Sequence, residues 1–235
     1  MSKPAAGIQD ADAAAVPRAD STNCEAPAAQ ALENTDARRR QRSDPPERER
    51  STGAPLVGVV CSAGGLKALK ALFAAVPPNS GLAWVVAPHL APDQPSMLVE
   101  LLRQHTSIPV DSAADRLAPT ADHVYVSPPA QELTLRGGHM RLTRLRGSEQ
   151  SRTALDRFLV SLAEDRGVAA MGVVLSGTGD AGVAGLRAII DAGGFTVVQL
   201  PATADFAAMP EAAIDAGIAD AVLPPAQIPA ALLDH

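Results

Sequence analysis

Three residue types suited to hydrolysis each stand just after an apolar run. A serine lies in Val60-Cys61-Ser62-Ala63-Gly64-Gly65, a histidine in Ala87-Pro88-His89-Leu90-Ala91-Pro92, and an aspartate in Ser176-Gly177-Thr178-Gly179-Asp180-Ala181-Gly182. A serine alkoxide is scarcely populated near neutral pH. A nucleophilic serine therefore needs an imidazole within hydrogen-bond reach, and the imidazole works best when a carboxylate orients it. Ser62, His89 and Asp180 supply the three groups, and backbone N–H groups on the glycine-rich turns would stabilise an oxyanion. The chemistry this predicts is acyl transfer to water. Each residue also has a plainer reading. Ser62 can cap the helix that starts near Gly65, His89 can be an ordinary loop histidine, and Asp180 can favour the positive end of the helix after it. Cys61 reads as a small buried apolar group at a strand end. The run Gly177 to Gly182 also spells Gly-x-Gly-x-x-Gly, but it lies late in the chain, and the next strand ends in Gln199 where a dinucleotide site wants an acid.

These residues must be positioned by strands and helices, and from Leu56 onward short β-rich apolar runs alternate with helical patterns. That alternation predicts a doubly wound α/β fold: a mostly parallel sheet with helices on both faces. The expected strands are Leu56–Cys61, Ala83–Ala87, Val124–Ser127, Ala170–Leu175, Thr196–Leu200 and Ala221–Leu223. Leu66, Leu69, Leu72 and Phe73 recur at helical spacing, as do Met97 to Leu102 and Leu155 to Leu162. Further helices are expected near Gly182–Ala192, Pro210–Ala216 and Ala226–Leu233. One antiparallel hairpin interrupts the alternation, where Leu133-x-Leu135 and Met140-x-Leu142 flank Gly137-Gly138. In an open parallel sheet ligands bind at the carboxyl ends of the strands, which is where Ser62, His89 and Asp180 fall.

Composition narrows the function classes. The 235 residues carry 20 Lys and Arg against 26 Asp and Glu, a net charge of −6, so no basic field argues for nucleic acid or an anionic bilayer. Cys24 and Cys61 are too few for a disulfide framework or a thiolate metal site, which fits a reducing cytoplasm. The longest apolar stretch, near Leu82 to Ala91, is broken by Pro88 and His89 and falls short of the ~20 residues a membrane span needs. Residues 1–54 hold no aromatic residue, and their eight Lys and Arg nearly balance nine acids. They read as a disordered mixed-charge tail ahead of a folded domain over 55–235. The run Arg38-Arg39-Arg40-Gln41-Arg42 within the tail reads as a solvated cluster.

At the singled-out residues the chain resembles the CheB protein-glutamate methylesterase domain of bacterial chemotaxis, over roughly Leu56 to Leu233. The likeness rests on motifs in order: Val57-Gly58-Val59-Val60-Cys61-Ser62-Ala63-Gly64-Gly65, Ala87-Pro88-His89-Leu90, Val124-Tyr125-Val126-Ser127-Pro128-Pro129, Leu155-Asp156-Arg157-Phe158, Gly172 to Gly179, and Met209-Pro210-Glu211-Ala212-Ala213-Ile214. The resemblance implies hydrolysis of glutamate γ-methyl esters on the cytoplasmic helices of methylated chemoreceptors, with release of methanol and no cofactor. Glutamine deamidation is a related activity in some members. By position it assigns the nucleophile to Ser62 and the general base to His89. The family's Gly-Thr-Gly-x-Asp-Gly reads Gly177-Thr178-Gly179-Asp180-Ala181-Gly182 here, so Ala181 stands at the aspartate position and Asp180 one step early. Ala63 and Thr178 also depart from the residues common in the family. Three outcomes stay open: Asp180 substitutes through a rearranged loop, a Ser62–His89 dyad works slowly, or the domain is a weak or inactive receptor-binding module. Replacing the orienting aspartate in a serine protease lowers turnover about 10⁴-fold, so an impaired esterase is expected. Residues 1–54 are too short for the receiver domain that often precedes this one, and control by phosphorylation in cis is not expected.

Overall fold

The computed structural model describes residues 54–89, 97–146 and 148–235. The expected tail with its arginine run and Cys24, and Leu90 to Pro92 of the histidine loop, lie outside them. Seven strands form one parallel sheet: β1 (Leu56–Cys61), β2 (Ala83–Pro88), β3 (Val110–Ser112), β4 (His123–Val126), β7 (Ala170–Val174), β8 (Phe195–Gln199) and β9 (Ala221–Leu223). Their order is β3-β4-β2-β1-β7-β8-β9. The antiparallel pair β5 (Gln131–Arg136) and β6 (His139–Arg144) stands apart, joined by Gly137 and Gly138 at φ +59° and +78°. Two successive positive φ values are what a two-residue hairpin of matching twist demands.

The central strands are buried along their length because helices cover both faces, which is why they read as unbroken apolar runs. On one face Val57, Val59 and Cys61 of β1 pack with Leu69, Leu72 and Phe73 of α1 (Gly65–Ala74), Leu102 of α2 (Leu98–Arg103) and Ile228 and Leu232 of α6 (Ile228–Leu233). On the other, Leu56 and Val60 meet Phe158, Leu159 and Leu162 of α3 (Ser148–Arg166), Leu186 and Ile189 of α4 (Val183–Asp191) and Met209 of α5 (Ala208–Asp215). Gly58 lets α3 approach, since a Cβ there would lie 2.7 Å from Leu162 and 3.0 Å from Leu159.

The doubly wound sheet and its hairpin match the expected fold. The strand β3 was not expected: it is three residues long, at the sheet edge, and too short to show a period. Among the described residues no helix is long and apolar enough to cross a membrane.

Candidate active site

The order of the sheet places its topological switch at β1. The chain leaves β1 for β2 on one side and reaches β7 on the other only after β3, β4 and the hairpin. A crevice therefore opens beyond the carboxyl ends of β1, β2 and β7. Main-chain bonds lash the three loops there together. The Ser62 N–H donates to the Ser176 carbonyl at 3.0 Å, and the His89 N–H donates to the Cys61 carbonyl at 2.8 Å. Gly177 is tied to the start of α5 and the residues before it, its N–H donating to the Phe206 carbonyl and its own carbonyl accepting the Met209 N–H.

Ser62 occupies a tight strand-to-helix turn. Its carbonyl accepts the Gly65 N–H at 3.0 Å, and Gly64 takes φ +74°, a region that costs a side-chain-bearing residue about 1–2 kcal/mol. A Cβ on Gly64 would also sit 2.6 Å from Ser176 Oγ. The plainer reading of Ser62 as a helix cap does not hold, because α1 has no side-chain cap bond. The hydroxyl instead faces His89, with Ser62 Oγ and His89 Nδ1 3.5 Å apart. That is the long end of a hydrogen bond, as is common in unliganded catalytic pairs, which tighten with substrate. The N–H groups of Ala63 and Gly64 take no partner among the described residues. The N–H after the nucleophile is a recurrent oxyanion donor on turns of this kind.

Cys61 is 2% exposed, and burial pushes its thiol up to about 12, so it stays protonated and inert beside Ser62. Asp180 makes no hydrogen bond to either member of the pair. It is exposed, and its carboxylate makes no hydrogen bond or ion pair among the described residues. Nor does that carboxylate cap α4: Asp156 does, its Oδ1 accepting the N–H groups of Gly182 at 3.0 Å and Gly185 at 2.9 Å. Ala181 packs half-buried against the core cluster beneath α4.

Two buried polar side chains that the sequence reading passed over hold the serine turn from below. Ser176 Oγ donates to the Ala63 carbonyl at 2.8 Å and accepts the Phe206 N–H at 3.0 Å. Gln199, 1% exposed, accepts the Ser176 N–H at 2.8 Å through Oε1 and donates to Thr203 Oγ1 at 3.2 Å. Polar residues at the ends of buried strands were the available signal. Beside the pair, Ser62 and His89 open onto a groove of about 920 Å³ between α1 and α2, where Asp205 is ion-paired with Lys67 at 2.6 Å.

The comparisons with known proteins bear on the family and the fold. The model of the CheB methylesterase family matches residues 57–232. The chain belongs to the CheB methylesterase family. It is 34% identical over 180 residues to protein-glutamate methylesterase/protein-glutamine glutaminase 3 of Paramagnetospirillum magneticum, covering 76% of this chain and 51% of that one. The protein of the same description from Mesorhizobium japonicum is 35% identical over 170 residues, covering 72% and 50%. The chain thus spans about half the length of these relatives. The crystal structure of the Thermotoga maritima CheB methylesterase catalytic domain superposes with a TM-score of 0.71 at 26% identity, over 78% of this chain and 98% of that one. The family and the fold are thus those that the ordered motifs implied.

Proposed function

We propose that this CheB-family chain is a cytoplasmic protein-glutamate methylesterase that acts on methylated chemoreceptor helices through a Ser62–His89 dyad. One observation carries the reading: an alcohol and an imidazole 27 residues apart lie 3.5 Å from each other above the switch point of the sheet. Ser62 Oγ attacks the ester carbonyl while its proton passes to His89 Nδ1. The oxyanion accepts the N–H groups of Ala63 and Gly64. The tetrahedral intermediate then breaks its bond to the methoxy group, which leaves as methanol with the proton from His89. Water, deprotonated by His89, attacks the acyl-serine, and collapse frees the glutamate and restores Ser62. Glutamine deamidation follows the same path with ammonia as the leaving group.

The dyad works without a carboxylate at position 181, so turnover is low. Asp180, exposed and with a carboxylate that bonds nothing among the described residues, supports a second reading, a receptor-binding module without useful turnover. Methanol release from methylated receptor separates the two. Release above a buffer blank, abolished by Ser62→Ala, supports the esterase. Binding with no release supports the module. A fluorophosphonate probe gives an independent check, labelling Ser62 only if His89 activates it.

A further inference from the structure

We infer that Phe206 is a specificity-determining residue, the apolar wall on which the methylene stem of the glutamyl side chain lies while Ser62 attacks its ester. This role rests on the hydrolase reading and adds a substrate-binding residue to it. Phe206 leaves its ring 48% exposed, yet the backbone beneath that ring is fixed. Its N–H donates to Ser176 Oγ at 3.0 Å, and its carbonyl accepts the Gly177 N–H at 3.0 Å. On either side of it, the Asp205 carboxylate meets Lys67 of α1 at 2.6 Å and the Ala207 carbonyl accepts the Glu211 N–H of α5 at 2.9 Å. With ties to the loop after β7, to α1 and to α5, no single bond decides where the ring stands. A Cβ on Gly64 would lie 3.1 Å from Phe206 Cδ2, so the ring rests against the turn that carries Ser62. An aromatic side chain held on ordered backbone loses little freedom when a ligand covers it.

The order of the sheet decides which part of the substrate meets the ring. His89 follows β2, Ser62 follows β1, and the loop that holds Phe206 follows β7, so the imidazole and the ring flank the serine from opposite sides. The carbonyl carbon under attack carries an oxygen, a methoxy group and the stem. Its oxygen takes the N–H groups of Ala63 and Gly64, and its methoxy group must face His89, which returns the proton. The stem is left with the side away from His89, where Phe206 stands. A glutamyl stem is a pair of methylenes without a hydrogen-bonding group, so an aromatic face receives it at no polar cost. Each methylene taken from water is worth up to about fourfold in kcat/KM. The site thereby favours an acyl group with a glutamate-length stem over a shorter one, through a side chain outside the Ser62–His89 pair.

The test uses the full chain with p-nitrophenyl acetate, propanoate and butanoate, whose acyl chains lengthen by one methylene at a time, and subtracts the rate of Ser62→Ala from each. Nitrophenol release should give a kcat/KM that rises about twofold to fourfold per methylene in the parent and less than about 1.5-fold in Phe206→Ala, with the acetate little changed. Phe206→Leu keeps an apolar wall and should keep most of the rise. A merely structural role would lower all three esters alike and leave the rise as it was. An unchanged rise in Phe206→Ala with native circular dichroism, a parent with no rise, or a rise lost as fully in Phe206→Leu as in Phe206→Ala would overturn the inference while the hydrolase reading stands. No Ser62-dependent release from any of the three esters would remove the hydrolase reading and the inference with it.

Discussion

Ser176→Ala tests whether the serine turn is held from below. Ser176 is fully buried, and its hydroxyl joins the Ala63 carbonyl at 2.8 Å to the Phe206 N–H at 3.0 Å. Removing the hydroxyl leaves one acceptor and one donor without a partner, and each such loss costs about 1–3 kcal/mol when water cannot replace it. Ala63 is half-buried and Phe206 exposed, so water recovers part of the loss. The expected destabilisation is about 1–2 kcal/mol, read as a lower urea midpoint at unchanged slope. The effect on activity should be larger. Ser62 Oγ and His89 Nδ1 are already 3.5 Å apart, and a 1 Å misplacement of a reacting group costs about 10²-fold. Methanol release, measured well below the unfolding midpoint, should show kcat falling by about that factor while KM moves little, because Ser176 does not line the groove. Stability within ~0.5 kcal/mol of the parent together with undiminished kcat would show that the Ser62 turn does not depend on Ser176.

Ala181→Asp should raise kcat, by up to ~10⁴-fold if the new carboxylate reaches His89; a folded variant with unchanged methanol release would show that it does not. Cys61 should resist alkylation in the native protein and react in denaturant, as followed by peptide mass spectrometry. Native labelling would contradict its burial. Because its folded value is raised from 9.0 to about 12, the thiol's contribution to stability is complete below pH 9 and is lost as pH rises toward 12, at up to ~1.4 kcal/mol per unit. Cys61→Ala should therefore flatten the alkaline limb of the stability curve. Asp111 is held below the ordinary carboxylate value by its hydrogen bond to His123 at 2.8 Å, with Arg103 adding to the effect. Its contribution is present above that ordinary value and is lost as pH falls through the lowered one. Asp111→Asn should weaken the acid dependence of the urea midpoint, by less than ~1 kcal/mol because the pair is half-exposed.

The central strands were legible because burial on both faces leaves an uninterrupted apolar run, as in Leu56 to Cys61. The hairpin was legible because Gly137-Gly138 at positive φ admits few alternatives. Ser62 and His89 were legible from the rule that ligands gather at strand carboxyl ends. The support beneath them was not. Gln199 looked out of place for a nucleotide loop, yet it and Ser176 are buried polar groups whose bonds to the serine turn and to each other cross more than twenty residues, at Ala63, Phe206 and the Ser176 N–H. Asp156 likewise caps a helix that begins 27 residues later, so no local capping pattern could reveal it. The groove beside Ser62 depends on how α1 lies beside α2, which sequence spacing does not specify.

The departure at Ala181 and the convergence of Ser62 with His89 pull in opposite directions, and their sizes decide between them. Removing one triad member in serine hydrolases still leaves about 10³–10⁴-fold acceleration over water, from the oxyanion hole and binding alone. Here the serine turn keeps its two open N–H groups, the hydroxyl keeps its imidazole, and buried Ser176 and Gln199 still fasten the turn. A buried polar network is costly unless every member is satisfied. In a module that only bound receptor, nothing at the turn would call for so fully satisfied a network, and apolar residues at 176 and 199 would serve the core as well. The intact support therefore favours slow hydrolysis over simple binding. Assaying Ser176→Ala for receptor binding as well as methanol release separates the two: a pure binding module shows no release before or after the substitution and keeps its binding, whereas the esterase loses release alone.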